Sequence, residues 1–454
     1  MAAKTIFLSV SLKENLQRRG LSLSVILCLL TTLLMSVTSQ AQEQIQSREL
    51  ISRLELSNTA DYARKDAAVY LDLKSLGLTA HDRRGEFLVV EEKGLQTQSQ
   101  VIDTDGDGTL DTLLFLADYK SSEVKQFDVY VDAVAAHARA MPQRAYAEVS
   151  HKVGGHWKKG KSAGNKDRGG YEYLEGHFVN VQCLEVPKEH SDHAWFIRYE
   201  GVGIESDEVG YRQYLDWRNG IDIFGKKTKS MVLHNVGQDG FDSYHEPADW
   251  GQDVLKVGDS LGLASYGYFD GEKAHRVSDF GGLFCRILSN GPIHASYEIR
   301  CKGWQVEGYD TDITTRVSMQ AGSRLAQVEL KLSKSLKPLC TGIVKHKGVN
   351  YHQGDLESIK DEAYSYIATW GPQSLAGDNL GMAVIFKRKD VGKLTTDEHN
   401  YLVTLHTDSS NEVDYYFLAA WEGEEPGGIK TEAEFLDYIK QQCRNLTVPL
   451  QVRK

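Results

Sequence analysis

The sequence lacks several motifs on which cofactor-dependent and metal-dependent chemistry usually rests. It contains no Gly-x-Gly-x-x-Gly dinucleotide fingerprint and no His-Glu-x-x-His metalloprotease pair. Its six cysteines are widely spaced and include no Cys-x-x-Cys pair, so the common zinc and redox motifs are excluded. We therefore expect chemistry that requires no cofactor.

A cleavable signal peptide is predicted over residues 1–41. An apolar run spans residues 21–37 and ends in the small-residue stretch Ser39-Gln40-Ala41, and four basic residues precede it: Lys4, Lys13, Arg18 and Arg19. Cys28 lies inside the run instead of at its end, so a lipid anchor is disfavoured. The mature protein is expected in the periplasm or secreted, with no membrane insertion after cleavage.

The charge of the mature chain is strongly negative. Removing the four basic residues and one acidic residue of the signal segment takes the formal net charge from −11 to −14. Such a surface repels nucleic acid, so no nucleic-acid partner is expected. The five cysteines that remain are expected to be mostly buried apolar residues, and one disulfide is left open.

Short runs of alternating or apolar residues predict antiparallel strands through most of the chain. They occur at 68–71, 86–90, 112–116 and 127–131, and they resume from Phe178 to about Trp421. Helical periodicity is clear only at the end, where Thr431 and Glu434 fit a capping box and Phe435 and Ile439 lie on one face. The prediction is an all-β chain, a large antiparallel sandwich with one C-terminal helix.

Composition divides the mature chain into three regions. Residues 42–150 form an N-terminal strand region, 151–176 a Gly- and Lys-rich surface loop, and 177–454 the main sandwich with its helix. A single domain over 42–454 is the alternative.

An acidic run resembles the first half of a calcium loop. Asp103, Asp105, Asp107 and Asp111 stand at ligand spacing with Gly108 as the sixth residue, but Leu114 occupies position twelve, where a bidentate Glu is required. Calcium completed by a distant carboxylate and a metal-free Asp-Gly hairpin both remain open, and either role is structural.

The stretch Tyr211–Gly220 carries four polar side chains at alternate positions. Strand geometry would place Arg212, Tyr214, Asp216 and Arg218 on one face. This face could be a solvated ladder of ion pairs. Alternatively it could bind an acidic sugar, because arginine pairs with carboxylates and tyrosine can stack or transfer a proton.

Two loops carry further candidate residues. In the segment 242–253, His245 is the best general-base candidate because its pKa lies near working pH, and Tyr244, Asp249 and Trp250 surround it. A surface histidine without a role is the alternative. The run His190-Ser-Asp-His193, with Glu189, Glu200, Glu205 and Asp207 nearby, offers a weak metal signal or a hydrogen-bonded loop.

These segments together resemble a known family. His190-Ser-Asp-His193, Tyr214-Leu-Asp-Trp-Arg-Asn219, Ile221-Asp-Ile-Phe-Gly-Lys226, Ser243-Tyr-His245 and Trp250-Gly-Gln-Asp253 are similar to exported Bacteroidetes proteins catalogued as domain of unknown function 4861. The resemblance covers about residues 65–421. It implies a galactose-mutarotase-like supersandwich and a setting of pectin or ulvan degradation beside unsaturated-uronyl hydrolases.

The leading hypothesis is β-elimination at a uronic acid in an acidic oligosaccharide, by a lyase or a dehydratase that leaves a 4,5-unsaturated residue. Arg212 and Arg218 would neutralise the carboxylate, His245 would remove the C5 proton, and Tyr214 or Tyr244 would protonate the leaving oxygen. Further substrate-binding candidates are Lys226, His193, Asp216, Trp250 and Asp249.

Two other functions remain open. A glycoside hydrolase would pair Asp216 or Asp222 with Glu205 or Asp249 across a glycosidic bond. A non-catalytic oligosaccharide-binding protein would use the polar face and the tryptophans without turnover.

Overall fold

Antiparallel strands make up most of the described chain. The computed structural model describes residues 48–79, 88–132, 141–160, 170–240, 243–357, 363–425 and 427–453, so the predicted signal peptide lies outside it. All pairings between its named strands are antiparallel, and these residues contain one α-helix. The predicted all-β class with one C-terminal helix is confirmed. No helix in this part of the chain is long and apolar enough to cross a bilayer.

Two small sheets form the N-terminal part. In spatial order, the first contains β30 (Gln451–Arg453), β1 (Arg48–Ser57), β7 (Val124–Asp132), β3 (Leu88–Glu92) and β4 (Leu95–Thr97). The second contains β2 (Arg64–Asp72), β6 (Thr112–Tyr119) and β5 (Ser99–Ile102). Leu54, Val69, Phe115 and Phe127 belong to one core shared by the two sheets. Because β30 pairs with β1, the C-terminal end of the chain returns to this part.

Three further sheets form most of the rest of the described chain. A nine-stranded sheet contains, in spatial order, β12 (Cys183–Glu185), β19 (Gly282–Asn290), β20 (His294–Val306), β21 (Tyr309–Gln320), β22 (Ala326–Leu332), β29 (Glu412–Trp421), β26 (Leu380–Lys387), β25 (Tyr364–Gly371) and β24 (Asn350–Gln353). A six-stranded sheet contains β11 (His177–Val181), β8 (Ala145–Val153), β13 (Gly201–Ser206), β14 (Gly210–Tyr214), β15 (Ile221–Lys226) and β16 (Gly251–Asp253). A five-stranded sheet contains β18 (Ala274–Arg276), β17 (Leu263–Phe269), β23 (Leu339–Val344), β28 (Asn400–Leu405) and β27 (Val391–Thr396).

The main core lies between the nine-stranded sheet and the six- and five-stranded sheets. The rings of Tyr211 on β14 and Phe417 on β29 meet with centroids 4.8 Å apart. At Gly225 a side chain would approach the indole of Trp421 to 2.4 Å, so this close contact requires glycine. The predicted sandwich is therefore present, with alternate strand residues pointing inward to this core.

The predicted surface loop 151–176 is in part regular structure. Strand β8 continues to Val153, and β9 (His156–Lys159) pairs with β10 (Tyr171–Leu174) as a hairpin; residues 161–169 lie outside the described chain. The run from Gly155 to Ser162 matches a phosphate-loop pattern in its letters. Its four central residues are strand β9, however, and so do not provide the loop of amides that cradles phosphate.

The helix α1 (Glu432–Thr447) begins as predicted. Thr431 accepts a hydrogen bond from the Glu434 amide, and the Glu434 carboxylate accepts one from the Thr431 amide, which completes the capping box. Phe435, Ile439 and Cys443 are buried, and Phe435 contacts Trp370 of β25. The helix thus covers the outer face of the nine-stranded sheet. Of the five cysteines in the described residues, Cys183 is exposed and the other four are buried.

His294, at the start of β20, should make folding sensitive to acid. It is 6% exposed, and burial lowers its pKa to about 4. Between about pH 6.5 and pH 4 the unfolded chain binds a proton that the folded chain does not, so the free energy of unfolding should fall by about 3 kcal/mol as pH drops. Urea unfolding at several pH values should show that the free energy of unfolding depends less steeply on pH in His294→Gln than in the wild type. Equal slopes in variant and wild type would contradict this assignment.

Candidate functional site

Three neighbouring strands of the six-stranded sheet bring the predicted residues together. Arg212 on β14 lies directly opposite Asp222 on β15, and Phe224 on β15 lies opposite Asp253 on β16. Because side chains alternate across a strand, Arg212, Asp222 and Asp253 emerge on the same face. That face points away from the main core, since the intervening Tyr211 and Ile223 belong to the core.

Arg212 is buried, only 2% exposed, and its guanidinium is fully occupied. Its Nη2 lies 2.8 Å from Asp222 Oδ2 and 2.7 Å from Asp253 Oδ2. It also donates to the Tyr214 hydroxyl at 2.8 Å and to the Tyr199 carbonyl at 3.2 Å. The expectation that Arg212 binds the substrate carboxylate is therefore wrong, because this cation is already neutralised inside the protein.

Tyr214 is part of the same buried network. Its hydroxyl donates to Asp222 Oδ2 at 2.8 Å, and burial raises its pKa well above the usual range. The hydroxyl thus points into the network, and it is a poor candidate for the acid that protonates a leaving oxygen. Tyr244 is better placed, because it lines a small cavity with His193, Trp195 and Gly240.

His245 lies at the edge of this network. Its side chain is 32% exposed, and its Nε2 is 3.4 Å from Asp253 Oδ2. A backbone hydrogen bond of 2.8 Å from the Asp253 amide to the Tyr244 carbonyl holds the loop in this position. Burial and the neighbouring Asp222 raise the pKa of Asp253 well above its usual value. The predicted general base is thus oriented by a carboxyl group that keeps its proton to higher pH than usual.

Arg218 belongs to a second, adjoining cluster. The strand β14 ends at Tyr214, so Asp216 and Arg218 lie in the following turn and not on the predicted strand face. The Arg218 guanidinium lies over the Tyr214 ring at 3.8 Å and binds three carboxylates. These are Asp216 at 2.6 Å, Asp192 at 2.7 Å and Glu200 at 3.2 Å. Arg218 therefore has little capacity left for a substrate carboxylate, and Asp216 is its buried partner.

The segment from His193 to Glu200 is strained where it borders the site. His193, Trp195, Tyr199 and Glu200 have φ values of 59°, 60°, 39° and 64°, in the left-handed region that residues other than glycine seldom adopt. The His193 amide donates to Glu200 Oε1 at 2.6 Å, which closes the segment on itself. Strain of this kind is concentrated at functional sites, where the surrounding structure enforces it.

Other predicted residues lie apart from this site. Lys226 is fully buried, with Nζ 2.7 Å from Glu205, so it cannot bind substrate. Asp249 is exposed on its loop, and Trp250 packs on Phe224. Asp222 and Glu205 are each buried in separate ion pairs, so the carboxylate pairs named for a hydrolase do not face a common opening.

Three site residues were not assigned from the sequence. Asp253 closes the motif Trp250-Gly-Gln-Asp253, but its contact with His245 depends on strand pairing. Glu200 was grouped with possible metal ligands. Lys152 on β8 places its ammonium over the rings of Trp195 and Phe178, at 5.4 and 5.5 Å. No local sequence signal marks this lysine.

The Asp192, His193 and Glu200 ligand atoms lie within 4.8 Å of one another, as a metal site would require. The Arg218 guanidinium lies among the same carboxylates, however, and His193 Nδ1 is 2.9 Å from Asp192. A transition-metal ion would be repelled by this guanidinium, so these residues do not fit a metal centre.

The acidic loop fits a calcium ion better. The carboxylates of Asp103, Asp105 and Asp111 lie within 4.8 Å of one another. Burial, with a contribution from Asp105, raises the pKa of Asp103, although the amides of Gly106 and Gly108 already donate to its carboxylate. Asp107 accepts instead from the Thr109 amide. Calcium binding by this loop stays a prediction.

The chain is similar in shape to several solved structures at low sequence identity. An α-mannosidase from Enterococcus faecalis is 12% identical with a TM-score of 0.41, over 91% of this chain and 48% of that one. A glycosyl hydrolase family 38 protein from Enterococcus faecalis is 12% identical with a TM-score of 0.38, over 91% of this chain and 49% of that one. A putative aldose 1-epimerase from Klebsiella pneumoniae is 10% identical with a TM-score of 0.30, over 67% of this chain and 96% of that one. The chain spans about half the length of the two Enterococcus proteins.

Sequence comparison gives a match over nearly the whole chain. The Uncharacterized protein P7 of Formosa agariphila is 22% identical over 445 residues, which cover 91% of this chain and 95% of that protein. The family model described as Domain of unknown function (DUF4861) matches residues 56–452. The chain therefore belongs to the DUF4861 family.

Proposed function

We propose that this protein is a carbohydrate-active enzyme that acts on uronic-acid-containing oligosaccharides by β-elimination. The observation that carries the proposal is His245, partly exposed and held against Asp253, next to Tyr244, which lines a small cavity with Trp195. A base, an acid and an aromatic surface are what elimination on a sugar ring requires.

His245 is the proposed base. It takes the proton from C5 of the uronate, the C5–H electron pair forms the C4–C5 double bond, and the bond from C4 to oxygen breaks. An ionised carboxylate beside an imidazole would favour the imidazolium, but the raised pKa of Asp253 weakens that effect. The neutral imidazole is the form that accepts the C5 proton.

Tyr244 is the proposed acid for the oxygen that leaves C4. Burial raises the pKa of its phenol well above the usual value, so the hydroxyl keeps its proton at neutral pH. Its ring lies 5.1 Å from the Arg212 guanidinium, a fixed positive charge that favours negative charge on the phenol oxygen during proton donation. The rings of Tyr244 and His245 are tilted by 34° with centroids 4.5 Å apart, so the proposed acid and base are adjacent.

Lys152 is the proposed partner of the substrate carboxylate. Among the described residues it has no carboxylate within 4 Å, whereas Arg212 and Arg218 are each bound to two or more. Burial lowers its pKa, which marks an ammonium that has lost part of its hydration. A uronate placed on Trp195 would bring its carboxylate to this ammonium, and neutralisation of the carboxylate makes the C5 proton more acidic.

Replacing His245 with alanine should lower kcat/KM on a uronate oligosaccharide by about 10²–10⁴-fold, because a general base contributes a factor of this size. The ultraviolet absorbance of the unsaturated uronate product measures the rate. His352→Ala is a matched control, since His352 is 30% exposed and its Nε2 lies 2.5 Å from Glu432, far along the chain. Activity of His245→Ala equal to that of the control would remove His245 from the mechanism.

The wild-type protein gives a separate test of the reaction class. New reducing ends without the ultraviolet absorbance would indicate hydrolysis, and binding without either product would indicate a binding protein. Either outcome would contradict elimination.

Replacing Lys152 with glutamine should raise KM and also lower kcat, so that kcat/KM falls by about tenfold or more, because the charge-assisted hydrogen bond that binds the carboxylate and acidifies C5–H is lost. Steady-state kinetics on the same oligosaccharide measures both constants. Lys302→Gln is the control, since this exposed lysine lies on β20 of the nine-stranded sheet and is paired with Asp312. An unchanged KM in Lys152→Gln would show that the carboxylate binds elsewhere.

A further inference from the structure

A second cavity lies on the opposite side of the sandwich from the candidate site. It has a volume of about 530 Å³ and is bordered by β2, β21, β22, β29 and α1; we call it the helix cleft. Ser318, Gln320 and Tyr416 line it, and they alternate along β21 and β29 with the core residues Val317 and Phe417. The helix cleft therefore lies on the outer face of the nine-stranded sheet, away from His245 on the six-stranded sheet.

Arg64 is a buried cation in this cleft without a carboxylate partner among the described residues. It is 9% exposed, donates to the Val448 carbonyl, and lies 5.4 Å from the centroid of the Tyr62 ring. Its Nε has no hydrogen-bond partner in the part of the chain that the structure describes. Asp66, two residues further along, is bound to Arg144 at 2.8 Å. A buried, uncompensated guanidinium is costly, and an anionic ligand would remove that cost.

The neutral groups of the cleft suit a ligand with many hydroxyls. His294 is buried, and its Nδ1 has no partner within the described chain. Its pKa of about 4 keeps the ring neutral, so the ring can both donate and accept a hydrogen bond. Amide and phenol side chains supply further donors and acceptors around it: Gln320, Gln327, Tyr416, Gln442 and Asn445. Such groups bind sugar hydroxyls through paired hydrogen bonds.

The helix cleft continues along the sheet. A cavity of about 250 Å³ shares Tyr70, Ser318 and Gln327 with it and reaches Arg316. A third, of about 470 Å³, shares Arg316 with the second, but six carboxylates line it, so it is not part of the proposed site. The stretch of β21 from Arg316 to Gln320 that follows the first two cavities is about 14 Å long, so the groove can hold more than one sugar unit.

We infer that the helix cleft is a second, non-catalytic site that binds an acidic oligosaccharide, with a uronate carboxylate on Arg64 and sugar hydroxyls on His294 and the amides. This site would hold the polymer on one face of the protein while the candidate active site acts on the other. The inference concerns binding alone and does not depend on elimination at His245.

Calorimetric titration tests the inference directly. The probes are tetragalacturonate, a glucuronate-containing tetrasaccharide, neutral maltotetraose and tetraglutamate. His245→Ala serves as the background, so that no probe is consumed. At least one of the two acidic sugars should bind, and adding Arg64→Gln should weaken that binding at the helix cleft by about tenfold or more.

Two further variants keep the test decisive. Gln327→Ala with Gln442→Ala changes partly exposed residues that the fold does not need, and it should weaken the same binding. Arg453→Gln is the control, because this exposed arginine belongs to an outer strand and is 3.9 Å from Glu55. It should leave binding unchanged.

Several outcomes would overturn the second site. These are binding of neither acidic sugar, binding unaffected by Arg64→Gln and by the glutamine pair, or loss of all sugar binding in Lys152→Gln. Equal or tighter binding of tetraglutamate would instead make the cleft a peptide site. Failure of elimination alone, with cleft binding retained, would refute the proposed function and leave this inference standing.

Discussion

The buried pairing of Arg212 with Asp222 and Asp253 is the interaction on which the candidate site depends. One guanidinium bridges the carboxylates of two strands, and both carboxylates are almost completely buried. Removing the arginine would leave two buried carboxyl groups close together, which is strongly unfavourable. Arg212 therefore fixes β14, β15 and β16 relative to one another and holds Asp253 in position.

The position of Asp253 has consequences for the loop between β15 and β16, which carries Tyr244 and His245. Its amide binds the Tyr244 carbonyl, and its carboxyl group lies beside His245. The proposed base and acid are thus adjacent residues on a loop whose orientation is set by a buried charge. The strained segment from His193 to Glu200 borders them, and Arg218 holds that segment through Glu200 and Asp192. Both arginines act as positioning residues, and the partly buried Lys152 is proposed to bind the substrate carboxylate.

Local sequence was sufficient to predict the strands and the capping box. Alternating apolar residues indicate a strand with one buried face, and Thr431 with Glu434 indicates the local hydrogen bonds of a capping box. Both patterns can be recognised without knowing the distant contacts. The roles of Arg212 and Lys226 were predicted wrongly because burial depends on which strands pair. Lys226 faces Glu205, 21 residues earlier, and no spacing rule reports this contact.

The other differences between the predicted and the observed site also arise from contacts between residues that are distant in the sequence. The prediction of one polar face from Arg212 to Arg218 assumed a continuous strand. The strand ends at Tyr214, and Arg212 contacts the Tyr214 ring from the strand while Arg218 contacts it from the following turn. Lys152 and Arg64 are distinguished from the other cations by having no carboxylate partner among the described residues. A cation that lacks a partner can be recognised only when its surroundings are known.

Elimination differs from hydrolysis in the fate of one hydrogen atom, the one on C5 of the uronate. An oligosaccharide deuterated at that carbon, incubated with the wild-type protein in ordinary water, should give an unsaturated product without deuterium, and the label should appear in the solvent. Nuclear magnetic resonance of the product measures this directly. A product that retains the deuterium at C5 and carries a new reducing end would contradict the account.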